Sequence, residues 1–128
     1  MASGSFSLPV RVIGLISGYN NSAVTDELYL IELPLPCECR LGGVQVGAAT
    51  AGSGTGSTIV DVFINGTSVW ANSSNRPTLA AADTGEFTST RVTNRALKIG
   101  DILVVQVKEI PTVTGHARLR WCIAIERP

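Results

Sequence analysis

Residues 59–70 read IVDVFINGTSVW, and their reading decides the fold class. Val60, Val62 and Ile64 alternate with Ile59, Asp61 and Phe63, the period of a β-strand that shows one side chain in two to each face. Asn65-Gly66 then supplies two residues that tolerate positive φ, as a type I′ turn requires, so the chain folds straight back into an antiparallel hairpin. A two-residue turn pairs Ile64 with Thr67, Phe63 with Ser68, Val62 with Val69 and Asp61 with Trp70. The aliphatic face is a core face. Phe63 and Trp70 share the other face, diagonally opposed, and an aromatic pair pointing away from an aliphatic core reads as a candidate interface. The competing reading covers the pair with the N-terminal segment or with the small-residue stretch 47–58.

Outside the hairpin the same period runs from end to end, broken by Gly, Pro, Asn and Asp, and no stretch carries a helical period. Strands are expected at Ser7–Ile16, Leu28–Leu35, Arg40–Ala49, Phe87–Val92, Ile102–Ile110 and His116–Glu126, besides the two arms of the hairpin and a short apolar piece around Leu79. Residues 17–26 (SGYNNSAVTD) read as a polar loop and 47–58 (GAATAGSGTGST) as a small-residue linker. In the last strand Ala117, Leu119, Trp121, Ile123 and Ile125 fall on one face, and Arg118, Arg120 and Glu126 on the other. About eight short strands without intervening helices predict an all-β protein, an antiparallel β-sandwich of jelly-roll type with no substantial helix.

Composition narrows the function. A chain of 128 residues is the length of one domain, 1–128, and is long enough to bury a core without metal or disulfide support. Lys plus Arg (10) equals Asp plus Glu (10), so no basic field exists to attract nucleic acid. Charged residues make up only 16% against 45% hydrophobic ones, which predicts that part of the surface is hidden against partners. The apolar runs are far shorter than the roughly 18 residues of a membrane-spanning helix, and the opening MASGSFSLPVRVIGLI lacks the basic start of a secretion signal. A soluble protein made in a cytoplasm is the expectation. Its three cysteines, Cys37, Cys39 and Cys122, then read as reduced, mostly buried small hydrophobes.

Catalytic and metal chemistry find little footing. GSGTGS at 52–57 has no following Lys-Ser/Thr and leads into a strand, so it lacks the helix N-terminus that a phosphate cradle needs. His116 is the sole histidine and no Ser or Cys nucleophile with an orienting carboxylate is arranged around it, so it reads as a surface or turn residue. Asp83 and Glu86 flank a glycine without the dense carboxylate spacing of a calcium loop. Asn20, Asn65 and Asn72 head Asn-X-Ser/Thr triplets but read as turn residues. No catalytic residue, no cofactor and no metal ligand is expected.

Five stretches carry a resemblance to a known group: ELPLPCECRLGGVQV, IVDVFINGTSVW, NRPTLAAADTGEFTS, LKIGDILVVQV and the closing amphipathic strand. In this order, from Glu32 to the C-terminus, they resemble small β-sandwich domains of tailed-phage virion proteins, found in capsid decoration proteins and in head or tail fibres. The resemblance implies a jelly-roll-like fold and a structural or attachment role, commonly as a homotrimer. The chain carries no heptads and no collagen-like repeat for a fibre shaft, which favours a decoration (cement) protein. Such a protein sits on the capsid surface of a virion assembled in the host cytoplasm, with the major capsid protein as partner and with neither nucleic acid nor membrane bound. Residues 1–8 then read as an arm onto a neighbour. The alternative is a fibre-tip or receptor- and carbohydrate-binding module, with Trp70, Tyr19 or Tyr29 stacking on a sugar.

Overall fold

A computed structural model of the chain describes residues 12–85, 87–89, 92 and 96–128. The expected arm at 1–8, the opening of the expected first strand, and Glu86 lie outside the described residues. Among the described residues ten strand segments follow one another: β1 (Val12–Asn20), β2 (Tyr29–Pro34), β3 (Cys39–Thr50), β4 (Ser57–Ile64), β5 (Thr67–Ser68), β6 (Thr78–Ala80), β7 (Phe87–Ser89), β8 (Ala96–Leu97), β9 (Ile102–Glu109) and β10 (Ala117–Glu126). A single 3-10 turn at Ser73–Asn75, capped by the Asn72 side chain, is the one helical element among the described residues.

The segments form two antiparallel sheets. One runs β1-β10-β3-β7 with β8 also on β3, and the other runs β2-β9-β4-β5 with β6 also on β4. β5 and β6 pair with different stretches of β4, and β7 and β8 with different stretches of β3, so each couple is one interrupted edge strand. The ten segments therefore occupy eight strand positions. The chain crosses between sheets at nearly every connection and its first strand lies beside its last, which is the double Greek key of a jelly roll. The all-β sandwich expected from the period-two pattern is the fold.

Both inner faces meet in one apolar cluster. Leu41, Val44, Val46, Leu119, Trp121 and Ile123 come from the first sheet, and Val60, Val62, Leu103, Val105 and Val107 from the second. The Asn65-Gly66 turn has φ of +51° and +86°, the two left-handed residues of a type I′ turn, and the Asn65 amide oxygen accepts a hydrogen bond from the Ile102 N–H at 2.9 Å. Asn65 thus ties the hairpin to the start of β9 as well as shaping its own turn.

Two segments depart from the sequence reading. Ser17–Asn20, expected in a loop, continues β1 and pairs with Leu119–Cys122 of β10. Gly18 is there for close approach and not for a turn: a Cβ at this position would come within 2.5 Å of the Trp121 ring. The linker keeps an order of its own: Gly47–Ala49, read both as linker and as the end of the third strand, belong to β3, which runs on to Thr50, and Ser53 bridges to Thr114, where the two hydroxyl oxygens meet at 2.6 Å.

Candidate binding surfaces

The hairpin pairs Ile64 with Thr67 and Phe63 with Ser68 as expected, and the Val69 N–H donates to the Val62 carbonyl at 3.0 Å. There the ladder stops. The Ser68 hydroxyl donates to the Asp61 carboxylate at 2.7 Å and accepts the Trp70 N–H at 3.2 Å, so Trp70 bonds to a side chain two residues back and does not continue opposite Asp61. The indole turns into the core and is 3% exposed, whereas Phe63 stays half-buried on the outer face. The outward pair expected from strand alternation is therefore not formed. Phe63 keeps access to the surface, and Trp70 offers a partner none.

What Phe63 shares its face with comes from strands distant in sequence. On the outer face of the β2-β9-β4 sheet, Tyr29 lies opposite Gln106 and Gln106 opposite Asp61, while one row along Val104 lies opposite Phe63. Tyr29 is 62% exposed. The Lys108 ammonium sits 5.9 Å from the centre of the Phe63 ring and 2.8 Å from a Glu27 carboxylate oxygen. Glu27, hydrogen-bonded to that ammonium, holds it above the ordinary lysine range. Arg76 faces Asp61 at 3.4 Å. Together Glu27, Tyr29, Phe63, Gly66, Val104, Gln106 and Lys108 line a shallow hollow of about 300 Å³.

The opposite outer face, on β1-β10-β3, is plainer. Register places Leu15 beside Ala124, Cys122 between Ser17 and Gln45, and Tyr19 beside Arg120. Leu15 is 63% and Tyr19 58% exposed. A second hollow of about 460 Å³ lies here, lined by Ser17, Gly18, Tyr19, Gln45, Arg120, Trp121 and Cys122.

The remaining reactive side chains are accounted for locally. His116, expected at the surface or in a turn, is fully buried: Nδ1 meets the Thr58 hydroxyl at 2.7 Å, and Nε2 meets the carbonyl oxygens of Asp83 at 2.7 Å and Ala80 at 3.1 Å. Carbonyls only accept, so Nε2 carries a hydrogen. The Asp83 side chain accepts the Gly85 N–H within its own turn. Among the described residues no three His, Cys, Asp or Glu side chains converge as metal ligands, and no helix is long and apolar enough to cross a membrane.

No family model, curated protein or solved structure matches the chain. The two outer faces therefore rest on their own geometry. Sequence reasoning had singled out Phe63, Tyr19 and Tyr29, but it missed Glu27, Gln106 and Lys108, whose partners become visible only once β2, β9 and β4 lie side by side.

The cysteines divide by environment. All three carry free thiols, with Cys37 exposed, Cys122 half-buried and Cys39 buried, so the expectation of mostly buried thiols fails for Cys37. Burial first, and then the neighbouring Cys37, push the Cys39 thiol above its ordinary range, and burial pushes up Cys122. A raised thiol pKa leaves less thiolate at a given pH, and the thiolate is the nucleophile. At pH 8 iodoacetamide is expected to modify Cys37 well before the other two, which should react fully only after denaturation. Peptide mass spectrometry over time checks this, and equal rates at the three sites would contradict it.

Proposed function

We propose that the protein is a non-enzymatic structural unit of a virion surface, a jelly-roll decoration protein that docks on the capsid lattice as a homotrimer and reinforces it by burying surface across subunit boundaries. The observation that supports this reading is the outer face of β1-β10-β3. An antiparallel sheet with one solvated face ordinarily alternates apolar-in with polar-out. Here Leu15, Ala124, Cys122 and Tyr19 put apolar surface on the outward side, and Ser17 and Gln45 add polarity without charge. Arg120 is the charged side chain lining its hollow. A face of this kind on rigid paired strands suits docking against a flat protein partner. The resemblance of residues 32–128 to phage virion domains supplies the setting.

Sedimentation of the purified chain at micromolar concentration is expected to show a trimer, and the Leu15→Glu, Tyr19→Glu double variant a smaller species that still folds, with a melting temperature that no longer rises with protein concentration as the parent's does. A parent that is monomeric and also fails to bind empty capsids of its virion would defeat the proposal. The rival reading, a fibre-tip or receptor-binding module, draws on the aromatic residues of the other outer face.

A further inference from the structure

We propose that the hollow on the outer face of β2-β9-β4 is a binding site for a neutral saccharide, centred on Tyr29, Phe63 and Gln106. The site lies on the sheet that the docking role does not use, so the two proposals stand or fall separately.

Gln106 is the first reason. Its side chain is enclosed, the residue being 6% exposed, yet the only hydrogen bond its amide makes among the described residues is from Nε2 to the Glu27 carbonyl at 3.0 Å. That bond fixes the amide orientation, because a carbonyl cannot donate. Oε1 is left without a protein partner, in a residue that lines the hollow. A buried acceptor left unmet carries its full desolvation cost, and a ligand hydroxyl that donates to it recovers that loss.

The flanking groups narrow the ligand. Tyr29 and Phe63 stand two strands apart, about 10 Å across the sheet, with Val104 and Gln106 of β9 between them. Aromatic faces with a few fixed polar groups between them suit a ring that is apolar on its C–H face and hydroxylated at its rim. The spacing suits linked sugar rings better than a single one. The local charges are already matched, Lys108 with Glu27 at 2.8 Å and Arg76 with Asp61 at 3.4 Å. One carboxylate remains over, the exposed Glu32 opposite Val104 in the row of Phe63, and it disfavours an anionic ligand, while the Lys108–Glu27 pair still offers a donor and an acceptor to neighbouring hydroxyls. Glu27 itself is held at φ +61°, a left-handed conformation uncommon for this residue, by the bonds of its carbonyl to Gln106 and its carboxylate to Lys108.

The test is an amide-resolved NMR titration of the full chain with maltohexaose, cellohexaose, mannohexaose and chitohexaose, with sialyllactose as an acidic comparison. At least one neutral oligosaccharide is expected to shift the amides of Tyr29, Phe63, Val104, Gln106 and Lys108 saturably. Tyr29→Ala should weaken that binding about tenfold, a loss near the upper end for one stacked ring, with an unchanged melting temperature, and Tyr19→Ala on the opposite sheet should leave it intact. The proposal is overturned if no neutral oligosaccharide gives saturable shifts, if the acidic sugar alone does, if binding survives Tyr29→Ala, or if the same amides shift with protein concentration alone, which would make this face a contact between copies of the chain.

Discussion

Replacing Trp70 by alanine is expected to cost about 3–5 kcal/mol of folding stability, because it empties the space of a large aromatic side chain inside the sandwich. For a chain of 128 residues that is a fall of at least about 10 °C in melting temperature. Assembly of the molecules that remain folded should be unaffected, since the 3% of Trp70 left exposed gives a partner nothing to hold. Thermal melts at two protein concentrations, read beside sedimentation, measure both quantities. A variant that melts like the parent but sediments as a smaller species would return Trp70 to the interface role read from the sequence.

The second large effect belongs to His116. Its ring joins three parts of the chain: it precedes β10 of one sheet, reaches Thr58 in β4 of the other, and donates from Nε2 to the carbonyls of Ala80, at the end of β6, and Asp83, in the turn after it. Its own backbone carbonyl also takes the Val24 N–H at 2.9 Å, which pins the β1–β2 connection. His116→Leu keeps bulk but strips the partner from a buried hydroxyl and from the Asp83 carbonyl, while the Ala80 carbonyl keeps the Asp83 N–H at 2.9 Å; it is expected to destabilise by about 2–4 kcal/mol, with roughly 1–3 for each group left unmet and part of that recovered by water at the turn. Thr58→Val removes a single partner and should cost less, about 1–2 kcal/mol. Denaturant unfolding of the two variants and their double mutant reads the coupling; additive losses would show that the Thr58–His116 bond contributes nothing of its own.

These two residues also mark where the sequence stops being legible. The fold class could be read because period-two alternation and the Asn65-Gly66 turn are local signals, and the strands they predict at β2, β3, β4, β9 and β10 are present within a residue or two. Facing fails where a side chain interrupts the ladder. Strand parity placed Trp70 outside, but the Ser68 hydroxyl captures its N–H and the chain leaves the sheet one residue too soon for parity to hold. Gly18 reads as a turn residue because glycine in a polar run usually is one, whereas here it clears space for Trp121, a residue that no local window contains. His116 looks like a surface residue for the same reason, its partners lying 58, 36 and 33 positions away. The outer-face hollow needs more still. Tyr29, Phe63 and Gln106 become neighbours only through the order β2-β9-β4, which alternation does not specify.

That strand order also governs how the chain can be assembled. β10 lies between β1 and β3, and β9 lies between β2 and β4, so an interior strand of each sheet is one of the last two strands of the sandwich to be made. Val12 finds its partner in Glu126, more than a hundred residues later. Until then β1 and β2 lack the strand they pair with, and β3 and β4 keep one side open, the form in which β-chains most readily join the wrong neighbour. Folding of this sandwich thus waits on β9 and β10 and carries a large loop-closure cost, on the millisecond-to-second scale or slower. At high synthesis rates the yield of native protein should be set by how long those unpartnered strands are kept apart.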